Sequence, residues 1–344
     1  MWRFSMKKII ITLTVAAAFI LGACAKTEAP DLQSASGDSK GVCYNPGVNA
    51  FGSDFQSYLN STGNSDLTGF GGSTSKTGDC LIVNEPVVFI HGNGDNASGS
   101  AMPMGGWVTS RNYFLANGYK SSELYAVNYG LSGATNAALN YHTAANISKI
   151  YRFIVAVKNY SGKAKVDVIA HSLGVTSVRA AVKGGTYKEY TGTSVYLGAS
   201  INGIVDTFVG ISGANRGLNS CGSWPLNNWT PTCGPTGLSI NNPFLVAING
   251  GSASMSYSYW TWSYVPNTLS MKVGSYTYSI MSYADELGCL PVMPTYCYVY
   301  ARHTSYLDGQ NGGLTFYSYP YGHMGNKEQT AANQLKMVKN HTTN

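Results

Sequence analysis

One segment constrains the possible fold more than any other: a mostly apolar run that passes directly into a tight turn and a helix. Residues 166–170 have the pattern of a buried strand, and residues 173–183 have the pattern of a helix. Between them, Ser172 must lie at a sharp strand-to-helix turn, where a serine hydroxyl projects above the sheet. Ala170 and Gly174 are small enough to flank such a turn. The pattern predicts Ser172 as a nucleophile; the alternative is a serine that only caps the helix.

Strand and helix patterns alternate along the rest of the chain from residue 86 onward. Predicted strands cover residues 86–91, 123–128, 166–170, 205–212, 278–283 and 314–319, and predicted helices cover 107–117, 141–160, 173–183 and 326–339. Strands separated by helices imply right-handed crossovers and a mostly parallel central sheet flanked by helices. Residues 44–79, rich in Gly, Ser, Thr and Asn, predict a loop-heavy extension. We therefore expect one α/β domain over residues 43–344.

A glycine-rich loop, His91-Gly92-Asn93-Gly94-Asp95-Asn96, follows the first predicted strand. In folds with a serine at a strand-to-helix turn, this loop supplies one backbone N–H to an oxyanion, and the residue after the serine supplies the other. The two predicted donors are the backbone N–H groups of Asn93 and Leu173. The alternative is a glycine-rich turn without a catalytic part.

The general base is expected last in chain order. His323 lies after the last predicted strand and before the closing helix, which makes it the predicted base, with His303 as the runner-up. The other histidines are predicted to be structural, namely His91, His142, His171 and His341.

The acid should follow a strand at its carboxyl end, where a carboxylate can orient the base. Asp285 has this position after the strand at 278–283, and its neighbour Glu286 and the later Asp308 are alternatives. Asp206 begins its strand and would lie at the wrong edge of the sheet. An aspartate that only caps a loop is the structural alternative for Asp285.

The composition argues against a nucleic-acid-binding protein. The formal charge is +6, and the basic residues are scattered instead of forming one basic patch. Charged residues make up only 11% of the chain, while 40 Gly and 25 Tyr are present, so uncharged polar and aromatic groups must cover much of the surface. This composition is more typical of an exported protein than of a cytosolic one.

The N-terminus has the layout of an export signal. Two lysines precede the apolar residues 9–22, a run too short for a comfortable membrane span. Leu21-Gly22-Ala23-Cys24 resembles the bacterial lipobox, which predicts a signal peptide over 1–23, a lipidated Cys24 and a flexible tether over 24–42. The alternative is ordinary signal cleavage near Ala23 or Ala25.

Six cysteines remain when Cys24 is set aside, and an even number in an exported chain predicts disulfides. Short separations favour the pairs Cys221–Cys233 and Cys289–Cys297, which leaves Cys43–Cys80, although other pairings are possible. None of the cysteines shows the C-x-x-C spacing of zinc or redox sites, so we expect no metal.

Aromatic residues are concentrated in residues 244–283. Five of them lie within eight positions, at Tyr257, Tyr259, Trp260, Trp262 and Tyr264. On a lid-like or protruding segment, such rings could bind a hydrophobic surface, with Tyr259, Trp260 and Trp262 as the candidates. Core packing of strands under an ordinary lid is the alternative.

These motifs resemble two related groups of α/β-hydrolases. Ile169-Ala170-His171-Ser172-Leu173-Gly174, Gly213-Ala214-Asn215-Arg216 and Gly322-His323-Met324-Gly325 are similar to segments of small bacterial lipases with Ala as the first residue of G-x-S-x-G. A longer resemblance, over most of residues 43–340, is to extracellular depolymerases of amorphous poly(3-hydroxybutyrate). Its segments are Phe89-Ile90-His91-Gly92-Asn93-Gly94-Asp95-Asn96 with Met102-Pro103, Arg216-Gly217-Leu218 with Ser220-Cys221, Pro231-Thr232-Cys233-Gly234, and Asp285 before Gly288-Cys289.

The resemblance implies the α/β-hydrolase fold and a triad of Ser172, Asp285 and His323. It implies an exported serine hydrolase that cleaves carboxylic esters through an acyl-enzyme, with polyhydroxybutyrate as the expected substrate. A triacylglycerol lipase or a short-chain carboxylesterase is the alternative, and a non-catalytic adhesion lipoprotein is a more distant one. No cofactor is expected. The expected location is the cell envelope, with membrane contact through a lipid on Cys24, or the medium.

Overall fold

The computed structural model describes residues 47–99, 104–189, 192–223, 229–250, 270–289, 294–299 and 302–344, all within one compact unit, Gly41–Asn344. The strands are β1 (Gly69–Gly71), β2 (Val87–Ile90), β3 (Leu124–Val127), β4 (Val166–His171), β5 (Thr186–Lys188), β6 (Ser194–Tyr196), β7 (Val205–Ile211), β8 (Leu218–Ser223), β9 (Ser239–Ile240), β10 (Tyr276–Ser282), β11 (Tyr298–Val299), β12 (Arg302–His303) and β13 (Gly312–Phe316). The α-helices are α1 (Ser53–Ser61), α2 (Val108–Ala116), α3 (Ala144–Ser161), α4 (Leu173–Lys183), α5 (Pro243–Ile248), α6 (Gly325–Glu328) and α7 (Ala331–Asn340).

Seven of these strands form the central sheet, in the order β1-β3-β2-β4-β7-β10-β13. All neighbours in this sheet are parallel except β1, which is antiparallel to β3. The prediction of a mostly parallel sheet with flanking helices is therefore confirmed, and the chain has the α/β-hydrolase fold. The pairs β5–β6, β8–β9 and β11–β12 form small separate sheets.

The sheet is buried on both faces, which explains the continuous apolar runs in the sequence. Along β2, Val88 packs into a cluster with Ile150 of α3, while the next residue, Phe89, packs into a second cluster with Phe114 of α2 and Met337 of α7. Because successive side chains of a strand point to opposite faces, a strand covered by helices on both sides needs apolar residues at every position.

The prediction of a loop-heavy extension over residues 44–79 is wrong in part. The segment contains α1, whose Phe55 and Leu59 are fully buried, and β1, which covers the edge of β3. The strand β1 was not predicted because its sequence, Gly-Phe-Gly, does not have the pattern of a strand. A Cβ on Gly69 would lie 2.0 Å from the carbonyl oxygen of Ala126, so glycine is needed for the two backbones to approach this closely.

Several boundaries differ from the prediction, among them the last strand, predicted over residues 314–319 and observed as β13 at Gly312–Phe316, and those of two helices. The closing helix predicted over residues 326–339 consists of two helices, α6 and α7, separated at Gln329 and Thr330. The long helix starts at Ala144 instead of residue 141, because the side chain of Thr143 accepts the backbone N–H of Asn146 at 3.0 Å and caps the helix.

The disulfides Cys221–Cys233 and Cys289–Cys297 are present in the structure. Cys80 is also disulfide-bonded, but its predicted partner Cys43 lies outside the described residues. The predicted signal peptide, Cys24 and the tether also lie outside them. In the part of the chain that the structure describes, no helix is long and apolar enough to cross a membrane.

Candidate active site

Ser172 lies at the sharp turn between β4 and α4, with φ 54° and ψ −127°. A non-glycine residue in this region of backbone space is strained, and such strain is concentrated at functional sites. Two glycines make the turn possible. A Cβ on Gly92 would lie 2.9 Å from Ser172 Cβ, and a Cβ on Gly174 would lie 2.4 Å from the carbonyl oxygen of His91. The loop after β2 therefore packs directly against the serine.

Asp285 and His323 are hydrogen-bonded to each other at the carboxyl edge of the sheet. His323 Nδ1 lies 2.9 Å from both carboxylate oxygens of Asp285, and both side chains are buried. The carboxylate also accepts the backbone N–H of Gly288 at 2.8 Å. Glu286, the neighbour of Asp285, accepts the backbone N–H of His323 at 2.9 Å and so holds the loop instead of the imidazole.

The two groups shift each other's pKa values toward the charged forms. Burial alone would raise the pKa of Asp285, but the charge and hydrogen bond of His323 and the N–H of Gly288 outweigh burial and lower it to about 2. Burial alone would lower the pKa of His323, but the charge and hydrogen bond of Asp285 raise it above its ordinary value. The pair therefore favours an imidazolium beside a carboxylate, as a general base requires after it accepts a proton.

Sequence reasoning missed two residues behind Asp285. Asn326 Nδ2 donates to Ser212 Oγ at 2.8 Å, and Ser212 is a hydrogen-bond partner of Asp285 that lowers the pKa of the carboxyl. All three are buried. Ser212 follows β7 at the same sheet edge as Ser172 and has a positive φ of 49°. Its place at the carboxyl end of the strand predicted over residues 205–212 could have identified it from the sequence.

His171 connects the serine turn to the base. Its Nε2–H donates to the carbonyl oxygen of His323 at 3.0 Å, and the two rings lie 4.8 Å apart. Burial and the nearby charge of His323 hold the pKa of His171 well below its ordinary value, so it stays neutral. In the described part of the chain, no hydrogen bond joins the hydroxyl of Ser172 to the ring of His323; catalytic hydrogen bonds of this kind often tighten only when substrate binds.

The loop after β2 is held by its side chains. The side chain of Asn93 donates to the carbonyl oxygen of Ala137 and accepts from Asn140 Nδ2, both at 2.9 Å. Because both ends of this side chain are used, the backbone N–H is the group that Asn93 can offer to a ligand. Leu173 is the first residue of α4, so its N–H has no acceptor within the helix.

The other histidines are engaged elsewhere. His91 Nε2 accepts the N–H of Tyr129 at 3.2 Å, and His142 Nε2 lies 2.7 Å from Thr176 Oγ1. His303 lies 3.2 Å from the carbonyl oxygen of Ser282 through Nε2 and accepts the N–H of Ser305 through Nδ1 at 3.1 Å. His341 lies at the amino ends of the strands, where it binds Asp206.

Asp308, an alternative acid, and Asp206, which the sequence excluded, both have cationic partners. Asp308 forms ion pairs with Arg216 at 2.6 Å and with Arg302 at 3.5 Å, and Asp206 binds Lys165 at 2.9 Å. Asp285 alone among these aspartates lies against His323, so the geometry favours it as the acid.

Among the described residues, two groups of side chains are spaced closely enough to hold a metal ion. Cys289, Cys297 and His303 lie together, but the two cysteines form a disulfide and offer no thiolate. The carboxylates of Glu85, Asp167 and Asp206 form the second group, where Lys165 and His341 already engage both oxygens of Asp206. These acidic residues lie at or before the amino ends of their strands, away from Ser172.

Tyr259, Trp260 and Trp262 lie outside the described residues, so their proposed role stays a prediction.

The structure shows another aromatic group beside the loops of Asp285 and His323. We call this group the tyrosine surface; it consists of Tyr283, Tyr298, Tyr317 and Tyr319. The ring of Tyr283 stacks on Tyr317 at 5.2 Å, and its hydroxyl lies 2.6 Å from that of Tyr298. Tyr317 is 75% exposed and Tyr319 is 67% exposed.

Comparison with known families gives a match to the family described as Lipase (class 2), over residues 84–336. Among solved structures, lipase B of Aspergillus fumigatus is 17% identical with a TM-score of 0.45, and covers 74% of this chain. This chain spans about half of that protein, 52% of its length. The mature lipase BlEst2 of Bacillus licheniformis is 10% identical with a TM-score of 0.46, and the match covers 74% of this chain and 91% of that one. No curated protein matches the chain.

Proposed function

Because the chain belongs to the class 2 lipase family and is thus a lipase- or esterase-like hydrolase, we propose that it cleaves carboxylic esters with Ser172 as the nucleophile. The observation that carries this proposal is the hydrogen-bonded pair of Asp285 and His323 beside the strained serine turn. The chain order of serine, acid and base is also the order expected for this fold.

The reaction proceeds through an acyl-enzyme. Asp285 holds Nδ1 of His323, so Nε2 takes the proton of the Ser172 hydroxyl as the oxygen attacks the ester carbonyl. The protonated ring then gives this proton to the departing alcohol. A water molecule repeats the sequence on the acyl-enzyme, with His323 as the base again, and releases the carboxylic acid.

The backbone N–H groups of Asn93 and Leu173 stabilise the negative oxygen of the tetrahedral intermediate. Both donors are positioned before the reaction starts, Asn93 by its side-chain hydrogen bonds to Ala137 and Asn140, and Leu173 by its place at the start of α4. Preorganised donors of this kind contribute about 10²–10³-fold each to turnover.

For the substrate, we propose a hydrophobic short-chain polyester, and the tyrosine surface supports this. Its exposed rings lie beside the loops of Asp285 and His323. There the ring faces could bind an apolar polymer chain while the phenol hydroxyls remain hydrated. The family match itself favours the alternative, a lipase that takes triacylglycerols or smaller acyl esters. Disulfides such as Cys221–Cys233 and Cys289–Cys297 are typical of proteins exported to an oxidising compartment, which we propose as the site of action.

The nucleophile is tested by Ser172→Ala. We expect turnover of p-nitrophenyl butyrate to fall by a factor on the order of 10⁶ while the thermal melt stays close to that of the wild type, because the nucleophile is lost and the rest of the site remains. More than a tenth of wild-type turnover in the variant would refute Ser172 as the nucleophile. Side-by-side rates on amorphous poly(3-hydroxybutyrate), tributyrin and olive oil then decide the substrate class.

A further inference from the structure

A buried ion pair joins the loop after β2 to the helix that follows His323. Lys327 Nζ lies 3.2 Å from Asp95 Oδ2, and the two side chains are only 1% and 2% exposed. Lys327 also donates to the carbonyl oxygen of Gly106 and forms an ion pair with Glu328 Oε1 at 3.0 Å. Its ammonium lies 5.4 Å from the ring centre of Trp107.

The pair lies close in sequence to both halves of the site. Asp95 is two residues after Asn93, the proposed oxyanion donor, and its carboxylate accepts the backbone N–H groups of Asn96 at 2.8 Å and Gly106 at 3.1 Å. Lys327 is four residues after His323, within α6. A displacement of either charge would therefore move a loop that carries a group of the site.

Stability alone does not explain a pair buried this deeply. Removing two charges from water is costly, and well-packed apolar residues are often as stable or more stable than a buried ion pair. What such a pair adds is a specific geometry, because each charge has few positions in which it is satisfied.

We propose that Asp95 and Lys327 are positioning residues, which hold the backbone N–H of Asn93 in register with His323 for the reaction at Ser172. The inference rests on the proposed function of this site. A misplacement of catalytic groups by about 1 Å can lower the rate about 10²-fold, so the loss of this pair should have a measurable effect. The pair touches neither the ester nor the reacting atoms, so its loss should reduce kcat without abolishing it.

Asp95→Asn keeps the shape of the side chain and leaves Glu328 as a counter-charge for Lys327. We expect it to fold and to lower kcat on p-nitrophenyl butyrate about tenfold, with KM within about twofold of the wild type. Lys327→Met alone should be strongly destabilised, because Asp95 then stays buried without its cation. The double variant D95N/K327M should regain much of the melting temperature lost in K327M, yet keep the low kcat.

Lys165→Met is the matched control. It removes another ion pair, with Asp206 at 2.9 Å, at the opposite edge of the same sheet. We expect this variant to have the kcat of the wild type. For every variant, kcat is calculated from the concentration of active enzyme, which is measured by titrating the reactive serine with diethyl p-nitrophenyl phosphate. Wild-type kcat in folded D95N and D95N/K327M would overturn the positioning role, and so would a D95N that does not fold. A wild-type enzyme without ester turnover would instead refute the proposed function.

Discussion

At the scale of single residues, we expect the ionisation of His323, the proposed base, to set the pH range of activity. Asp285 raises the pKa of His323, and the base must be neutral to accept a proton. We therefore expect the acid limb of kcat/KM on p-nitrophenyl butyrate to have its midpoint above pH 6.5. The charges of Glu286 and Lys327 also affect the pKa of His323, and His171 interacts electrostatically with the same ring. The midpoint of the acid limb therefore depends on all of these residues. A limb below pH 6 would contradict the assignment of the base.

Asp285→Asn tests the cause of that shift. Without the carboxylate, burial lowers the pKa of His323, so the acid limb should move to lower pH. We expect kcat to fall by about 10⁴, because the ring loses its orienting acceptor.

The shifted pKa values of His323 and Asp285 also make the stability of the fold depend on pH. The raised pKa of His323 stabilises the fold below about pH 6.5, and this contribution is lost as the pH rises through the raised value. The lowered pKa of Asp285 stabilises the fold above about pH 4, and this is lost as the pH falls toward 2.

We expect Ser212 and Asn326 to act on catalysis through Asp285, the proposed acid. Ser212→Ala removes a donor to the carboxylate, and we expect kcat to fall about tenfold, since a hydrogen bond to a charged group contributes about 1.5–3 kcal/mol. Asn326→Asp puts an acceptor in place of the amide donor, which draws the Ser212 proton away from Asp285 and should have a similar effect. The double variant should be no slower than the worse single variant. Additive losses would show that the two residues act independently.

These residues also show what the sequence could not predict at this scale. Ser172, Asp285 and His323 each follow a strand at the carboxyl edge of the sheet, and this rule of position is visible in the sequence. The contacts between Asn326 and Ser212 and between Lys327 and Asp95 join residues 114 and 232 positions apart. Neither sequence pattern nor spacing relates residues at such separations, since only the folded sheet brings them together.

At the scale of elements, the disulfide Cys289–Cys297 closes the segment after Asp285. The N–H of Cys289 donates to the carbonyl oxygen of Asp285 at 2.7 Å, so the bridge constrains the loop that carries the acid. We expect C289S/C297S to lose about 2–3 kcal/mol of stability in urea titrations, as is typical of a native disulfide, and to lose kcat as well. Wild-type kcat in the folded variant would show that the loop is held without the bridge.

Elements with strong apolar patterns were predictable, and short ones were not. The patterns over residues 166–170 and 173–183 locate β4 and α4 to within a residue, because every residue of the two elements except Lys183 is buried. β1 was missed because three residues with two glycines carry no periodic signal. The break between α6 and α7 was missed because residues 326–330 are all polar and contain neither glycine nor proline, so no helix-end signal is present where the fold ends α6 at Glu328.

At the scale of the whole molecule, the tyrosine surface allows two steps of the proposed polyester activity to be tested separately: adsorption to the polymer and hydrolysis of the ester. Tyr317 and Tyr319 are mostly exposed, and they are near His323 in sequence. If they adsorb the enzyme to an insoluble polymer at roughly 1 kcal/mol per ring, removing both should weaken adsorption about thirtyfold. The soluble ester p-nitrophenyl butyrate needs no such surface, so its hydrolysis should be unchanged.

The test compares Tyr317→Ser/Tyr319→Ser with Tyr196→Ser. Tyr196 is 70% exposed on β6, a strand outside the central sheet, so this control removes a similar ring elsewhere on the surface. The double variant should bind films of amorphous poly(3-hydroxybutyrate) weakly and degrade them slowly, while Tyr196→Ser behaves like the wild type. Equal losses on the film and on the soluble ester would mean that the rings support the acid and base loops. An unchanged film rate would move adsorption to another part of the chain, of which residues 257–264 are the first candidates because of their five aromatic rings.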